Sequence, residues 1–269
     1  MSRLDDFDAL AELALDHLRQ VVAIDSASDE ASPTVPSTPG QTALADHLAR
    51  FFEARGAEVF RDAHANVVAS FPGVGPGAER PPVALMVHLD TAPGTAAVPT
   101  LDVAEAWDGA PVPYRRNDRL RVGVETYPDL TAFAGHDLVF GPGDAPFGLD
   151  DKLGLTHLMT LARLFEAEPD RPRPPTLLIG RPDEEIGRPD ALYGLAKMLA
   201  ERGVRSGYTV DGILPFEVNV SNFNAAHASL TFPSAPIEAG GGAVRVRLCG
   251  VNTHGATAKA EGHRAATRL

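Results

Sequence analysis

The sequence predicts an α/β fold built on a mainly parallel sheet, followed by a smaller α+β unit. Three observations carry this expectation. Val83–Val87 and Thr176–Ile179 are continuous apolar runs, the pattern of strands buried on both faces. Amphipathic helical stretches alternate with those runs, as strand–helix–strand units require. After Asp211-Gly212 the pattern changes: Val244, Val246 and Leu248 alternate with Arg245 and Arg247, as in a half-exposed antiparallel strand.

The first helix is expected over residues 7–24, where Leu10, Ala14, Leu18, Val21 and Val22 recur near a period of 3.6. Ser28–Gly40 is rich in Ser, Pro and Thr and reads as a loop. A second helix over Gln41–Arg55 gathers Leu44, Leu48, Phe51 and Phe52 and stops at Gly56. Short strands at Glu58–Phe60 and Val67–Phe71 close on Pro72-Gly73. The polar excursion Pro93–Gly135 yields one or two strands near Leu120–Val124. Asp150 caps a helix running to Glu166, and Ala191–Arg202 forms another that ends at Gly203. A short strand follows at Tyr208–Val210. Beyond a boundary at 214–218, Phe216–Phe232 and Ala243–Leu248 are strand-like.

Composition narrows the function classes. In 269 residues the chain is 44% hydrophobic, enough for a sizeable core, and carries a net charge of −12. Only Lys152, Lys197 and Lys259 are lysines and no basic run exists, so a nucleic-acid partner is not expected. No apolar stretch suits a membrane span. The lone Cys249 and the acidic Leu4-Asp5-Asp6 fit a reducing, cytoplasmic setting without a secretory leader.

Three predicted strands end in polar residues: His88-Leu89-Asp90, Arg181-Pro182-Asp183-Glu184-Glu185 and Asp211-Gly212. Ligands bind outside the carboxyl ends of strands in open α/β sheets. A convergence of anions there is costly unless cations lie between them. His88 and Asp90 share one face of an extended chain, so Asp90 can accept from the imidazole while the other ring nitrogen binds a metal. The same tripeptide also describes a core histidine beside a helix cap. Glu184 and Glu185 point apart, so one can bind a metal while the other takes a proton from water; an exposed acidic turn reads alike. Asp150 opens a helix, where the macrodipole favours an anion. Its two oxygens can also bridge two metals about 3.5–4 Å apart. Ligands of His, Asp and Glu without thiolate suit zinc, and also manganese or cobalt.

These segments, in this order, resemble the M20 zinc peptidases, and within them the tripeptide aminopeptidase branch, peptidase T. The matching stretches are PSTPGQ (36–41), HLDTAP (88–93), GLDDKLG (148–154), RPDEEIGR (181–188), YTVDG (208–212), NFNAA (222–226) and THGATAK (253–259). The resemblance implies a three-layer zinc-exopeptidase-type fold with helices on both sheet faces. It assigns residues 1–214 to the catalytic domain and 215–269 to an incomplete α+β lid through which the family dimerises. It also implies that His88, Asp150 and Asp211 hold one zinc, and that Asp150 and Glu185 hold a second. Asp90 then orients His88, Glu184 is the general base, and His254 is the lid histidine that steadies the oxyanion in the neighbouring subunit.

The implied activity is zinc-dependent release of the N-terminal residue from tripeptides. Carboxypeptidase, dipeptidase or N-acyl amino-acid deacylase chemistry is the alternative within the family, and an inactive metal-binding homologue is the alternative outside it. Three departures accompany the resemblance. The second zinc site lacks a further His that the family takes from its C-terminal part, which is expected to be missing here. Leu230–Gly242 reads as an insertion, and Gly255 stands where the family has Pro.

Overall fold

Asp6 starts the first helix because its carboxylate accepts the Ala9 N–H at 3.0 Å and satisfies one of the free donors of a helix start. That helix, α1 (Phe7–Val22), buries His17, Leu18, Val21 and Val22. The computed structural model describes residues 6–212, together with 218–220, 231, 233, 244, 245, 247, 249 and 262. The chain divides into two units, Met1–Asp211 and Gly212–Leu269. The expected lid, its strands for the most part, and His254 lie outside the described residues.

Helix α2 (Pro39–Glu53) begins on a proline, whose missing N–H costs nothing at that position. It sits hard against the preceding loop: a Cβ on Gly40 would come within 1.7 Å of the Asp25 carbonyl oxygen. Strands β1 (Glu58–Arg61) and β2 (Val67–Phe71) form an antiparallel hairpin. Strand β3 (Val83–His88) follows. The polar excursion is more ordered than expected: β4 (Asp102–Ala104) pairs with β7 (Leu138–Phe140), and β5 (Val112–Tyr114) with β6 (Asn117–Val122). Buried Trp107 pins the connection, its Nε1–H donating to the Ala110 carbonyl at 2.6 Å. Then come α3 (Leu149–Ala167), β8 (Thr176–Arg181), α4 (Asp190–Glu201) and β9 (Ser206–Thr209).

The main sheet has the order β1-β2-β8-β3-β9. Strands β8, β3 and β9 run parallel, and the β1–β2 hairpin adds an antiparallel side through β2. Alternation along β8 sends Leu178 to one face and Leu177 and Ile179 to the other, each buried. Leu178 joins Leu44, Leu48, Phe52, Leu155 and Met159 beneath α1, α2 and α3. Leu177 and Ile179 pack with Val68, Ala84 and Leu195 beneath α4. The α/β layering with helices on both faces is therefore present. Each such side chain stabilises the fold by about 1.5–3 kcal/mol relative to exposure.

One core group makes a testable pH dependence. His17 is buried, edge-on to Phe51, with Nδ1 3.0 Å from Thr160 Oγ1. The Thr160 hydroxyl donates to the Thr156 carbonyl, so Nδ1 is the protonated nitrogen of a neutral ring. Burial, reinforced by the charges of Arg55 and Arg163, lowers its pKa to about 4. Between pH 4 and 6.5 the unfolded chain takes up a proton that the folded chain refuses, so stability falls as pH falls through that window. The full loss below pH 4 is ~3 kcal/mol. Urea midpoints measured against pH should separate wild type from His17→Gln within this window and run parallel above it.

Candidate metal centre

Three parallel strands bring their polar carboxyl ends to one side of the sheet. His88 closes β3, Arg181 closes β8 in register beside it, and Asp211 follows β9. His88 is buried. Its Nε2 lies 2.9 Å from Asp150 Oδ1 and 3.8 Å from Asp211 Oδ2. Its Nδ1 faces the carbonyl oxygen of Asp90 at 2.9 Å, with the Asp90 carboxylate at 3.5 Å.

Asp90 is fully buried and works mainly on the neighbouring turn. One carboxylate oxygen accepts the Glu184 N–H at 2.9 Å and the other the Glu185 N–H at 3.1 Å. The turn is gripped from its other side by Asp183, itself buried and at φ 53°. Asp183 accepts from Ser37 N–H at 2.8 Å, Ser37 Oγ–H at 2.5 Å and Gln41 Nε2–H at 2.7 Å. Its own N–H donates to Gln41 Oε1 at 3.0 Å. The PSTPGQ segment is thus the clamp of the acidic turn, a role that its composition does not disclose.

Asp151 adds a residue beyond the expected ligands. One oxygen accepts the His88 main-chain N–H at 3.1 Å and the other the Gly154 N–H at 3.1 Å. Only glycine fits there, since a Cβ on Gly154 would approach Asp151 Oδ1 to 2.0 Å. Helix α3 departs from helical dihedrals at Asp150 and Asp151, so the two carboxylates leave the helix start in different directions. The adjacent Asp-Asp pair was the available signal for this second acid. Lys152 is buried away from the cluster, donating to the Val21 and Ile24 carbonyls at 2.9 Å each.

The electrostatics are those of anions forced together. Burial raises the Asp151 carboxyl to about 8. Burial and then the charge of Asp150 raise both Glu185 and Asp211. Burial would lower the His88 imidazole, but hydrogen bonds to Asp150 and Asp90 and the charge of Asp151 raise it to about 11. The His88 hydrogen bond keeps Asp150 below its usual range against burial. Burial likewise works against Asp90, which its bonds from His88 and Glu184 hold low. Carboxylates crowded in this way need positive charge between them, which is the work a bound cation does.

Two sets of donor atoms, each within 4.8 Å of one another, have the chemistry for a metal ion: His88, Asp150 and Glu185, and His88, Asp151 and Asp211. All four expected ligands are brought together, though apportioned differently from the family expectation because Asp150 and Asp151 both lie on His88. Imidazole and carboxylate without thiolate fit zinc, manganese or cobalt. Glu184 is in neither set.

No family model matches the chain. It is 32% identical to peptidase T of Aeromonas salmonicida over 91% of its own length and 55% of that protein. It is 31% identical to peptidase T of Geobacillus thermodenitrificans over 84% of its own length and 54% of that protein. Among solved structures, the aminopeptidase PepT of Bacillus cereus aligns at 18% identity with a TM-score of 0.49, covering 75% of this chain and 43% of that one. The chain spans about half the length of the curated relatives it matches. Over most of its own length, the chain is therefore similar to the peptidase T proteins.

Proposed function

We propose that this chain carries the metal centre of a zinc-dependent aminopeptidase acting on short peptides, with tripeptides as the preferred substrates. The observation that supports it most is the meeting of His88, Glu185 and Asp211, which lie at or after three strand ends, with Asp150 from the start of α3, while Glu184 stands outside both donor sets. His88, Asp150, Glu185 and Asp211 would hold the metal, with Asp151 bracing His88 from behind. A divalent metal in such a site polarises the scissile carbonyl and acidifies water.

The residues of the chain do the rest. Glu184 takes the proton of the attacking water and returns it to the leaving amine. Asp90 holds both Glu184 and Glu185 by their main chains, so the base and its ligand neighbour keep a fixed separation. Asp150 has its side chain 67% exposed and the Asp211 side chain is 35% exposed, which leaves a side open for substrate. The exposed Cys249 as the lone cysteine supports a cytoplasmic setting. Among the described residues no helix is long and apolar enough to cross a membrane. A steadying role for His254, and a homodimer through residues 215–269, rest on the family resemblance. Sedimentation of the chain should read two copies, and a single-copy mass would contradict the dimer.

A peptide panel tests the reading. With added zinc, free tripeptides should release their N-terminal residue, N-acylated peptides should be refused, and a chelator should stop the reaction. Cleavage of blocked peptides would favour a deacylase or carboxypeptidase instead. Metal uptake without cleavage of any peptide would mark an inactive metal-binding homologue.

A further inference from the structure

Two adjacent glutamates face one site, and the structure treats them differently. Glu185 shares a donor set with His88 and Asp150, whereas Glu184 shares none. Asp90 does not make this distinction, because it holds both main-chain N–H groups alike. Arg181 does. It ends β8 directly beside His88 in the parallel register, and its main-chain carbonyl accepts the Leu89 N–H at 2.7 Å, so its base is fixed to the same strand end as the ligand. Its side chain is only 12% exposed, and Nη2 lies 3.3 Å from Glu184 Oε1. Between the two partners of this ion pair the chain passes through Asp183 in the left-handed region. Arg181 has a carboxylate partner among the acids of the site, and that partner, unlike the neighbouring Glu185, stands outside the ligand sets.

We propose that Arg181 is a positioning residue: its guanidinium holds the Glu184 carboxylate off the metal, so that Glu185 alone of the pair serves as a ligand. The inference rests on the metal-centre reading above and adds to it the reason why the two acids divide their roles. An unrestrained carboxylate next to a divalent cation with an open position coordinates it, since carboxylate oxygens are ordinary ligands for these ions. The side-chain ion pair competes with that coordination.

Cobalt(II) added to the intact chain gives the test, because its visible bands lose intensity as an extra ligand raises the coordination number. Arg181→Met should give weaker, shifted bands than wild type, and the Arg181→Met/Glu184→Gln double variant should return them to the wild-type form. Arg181→Lys, which keeps the positive charge, should look like wild type. Glu184→Gln alone should leave the spectrum unchanged, a comparison that holds even where Arg181→Met does not fold. Cobalt uptake with identical bands in wild type and folded Arg181→Met would overturn this inference alone, as would an altered spectrum in Glu184→Gln. If the wild type takes up no cobalt, the metal-centre reading falls and this inference falls with it.

Discussion

Glu184→Gln is expected to lower peptide hydrolysis about a thousandfold while leaving bound metal at the wild-type level. The size follows from the 10²–10⁴-fold worth of a positioned general base. The separation of the two readouts follows from geometry. Glu184 is absent from both donor sets, and its main-chain N–H, which the substitution keeps, is what Asp90 holds. Glu185→Gln should behave in the opposite order, losing metal first and activity as a consequence, because Glu185 shares a donor set with His88 and Asp150. Metal content by elemental analysis alongside initial rates checks both variants. Loss of metal in Glu184→Gln would mean that the two acids have been assigned the wrong way round.

Asp183→Ala should be the most damaging single change outside the ligands, costing about 3–5 kcal/mol of stability. The carboxylate is fully buried and accepts from two groups of Ser37 and one of Gln41. Removing it strands those donors in the interior, and unsatisfied buried groups cost more than the bonds themselves contribute. The same change frees the turn that carries Glu184 and Glu185, so metal affinity should fall together with the urea midpoint. Asp183→Asn keeps one acceptor oxygen and should lose less. A cost below about 1 kcal/mol for the alanine variant would show that the clamp is solvated rather than buried.

The parts of this molecule that could be read in advance are those with local patterns. Two apolar runs became β3 and β8, and the four helices fell within two residues of their expected ends or close to it. The acids at the strand ends were legible because a charge following a buried strand has few structural reasons to be there. Strand β9 lies two residues earlier than its apolar signal, at Ser206–Thr209, because parallel pairing with β3 recruits Ser206 and Gly207 opposite Val83 and Ala84. The short strands β4, β5 and β7 have three residues each, too few to show alternation.

What stayed hidden is the set of bonds between distant segments. Ser37 and Asp183 are 146 positions apart, and nothing in either neighbourhood signals that one will hold the other. The same holds for Asp151, whose partners are a main-chain N–H on β3 and a glycine whose missing side chain makes room for it. Long-range polar contacts carry no period, so they emerge only when the sheet order brings their segments together.

A calorimetric titration of the chain with zinc, run on wild type and on His88→Ala, tests whether these donors hold a metal ion. Both donor sets contain His88, so wild type should bind zinc and His88→Ala should lose at least about a hundredfold in affinity, since removing even an outer partner of a ligand costs about 10–100-fold. Zinc bound with equal affinity by both proteins, or by neither, would contradict that reading.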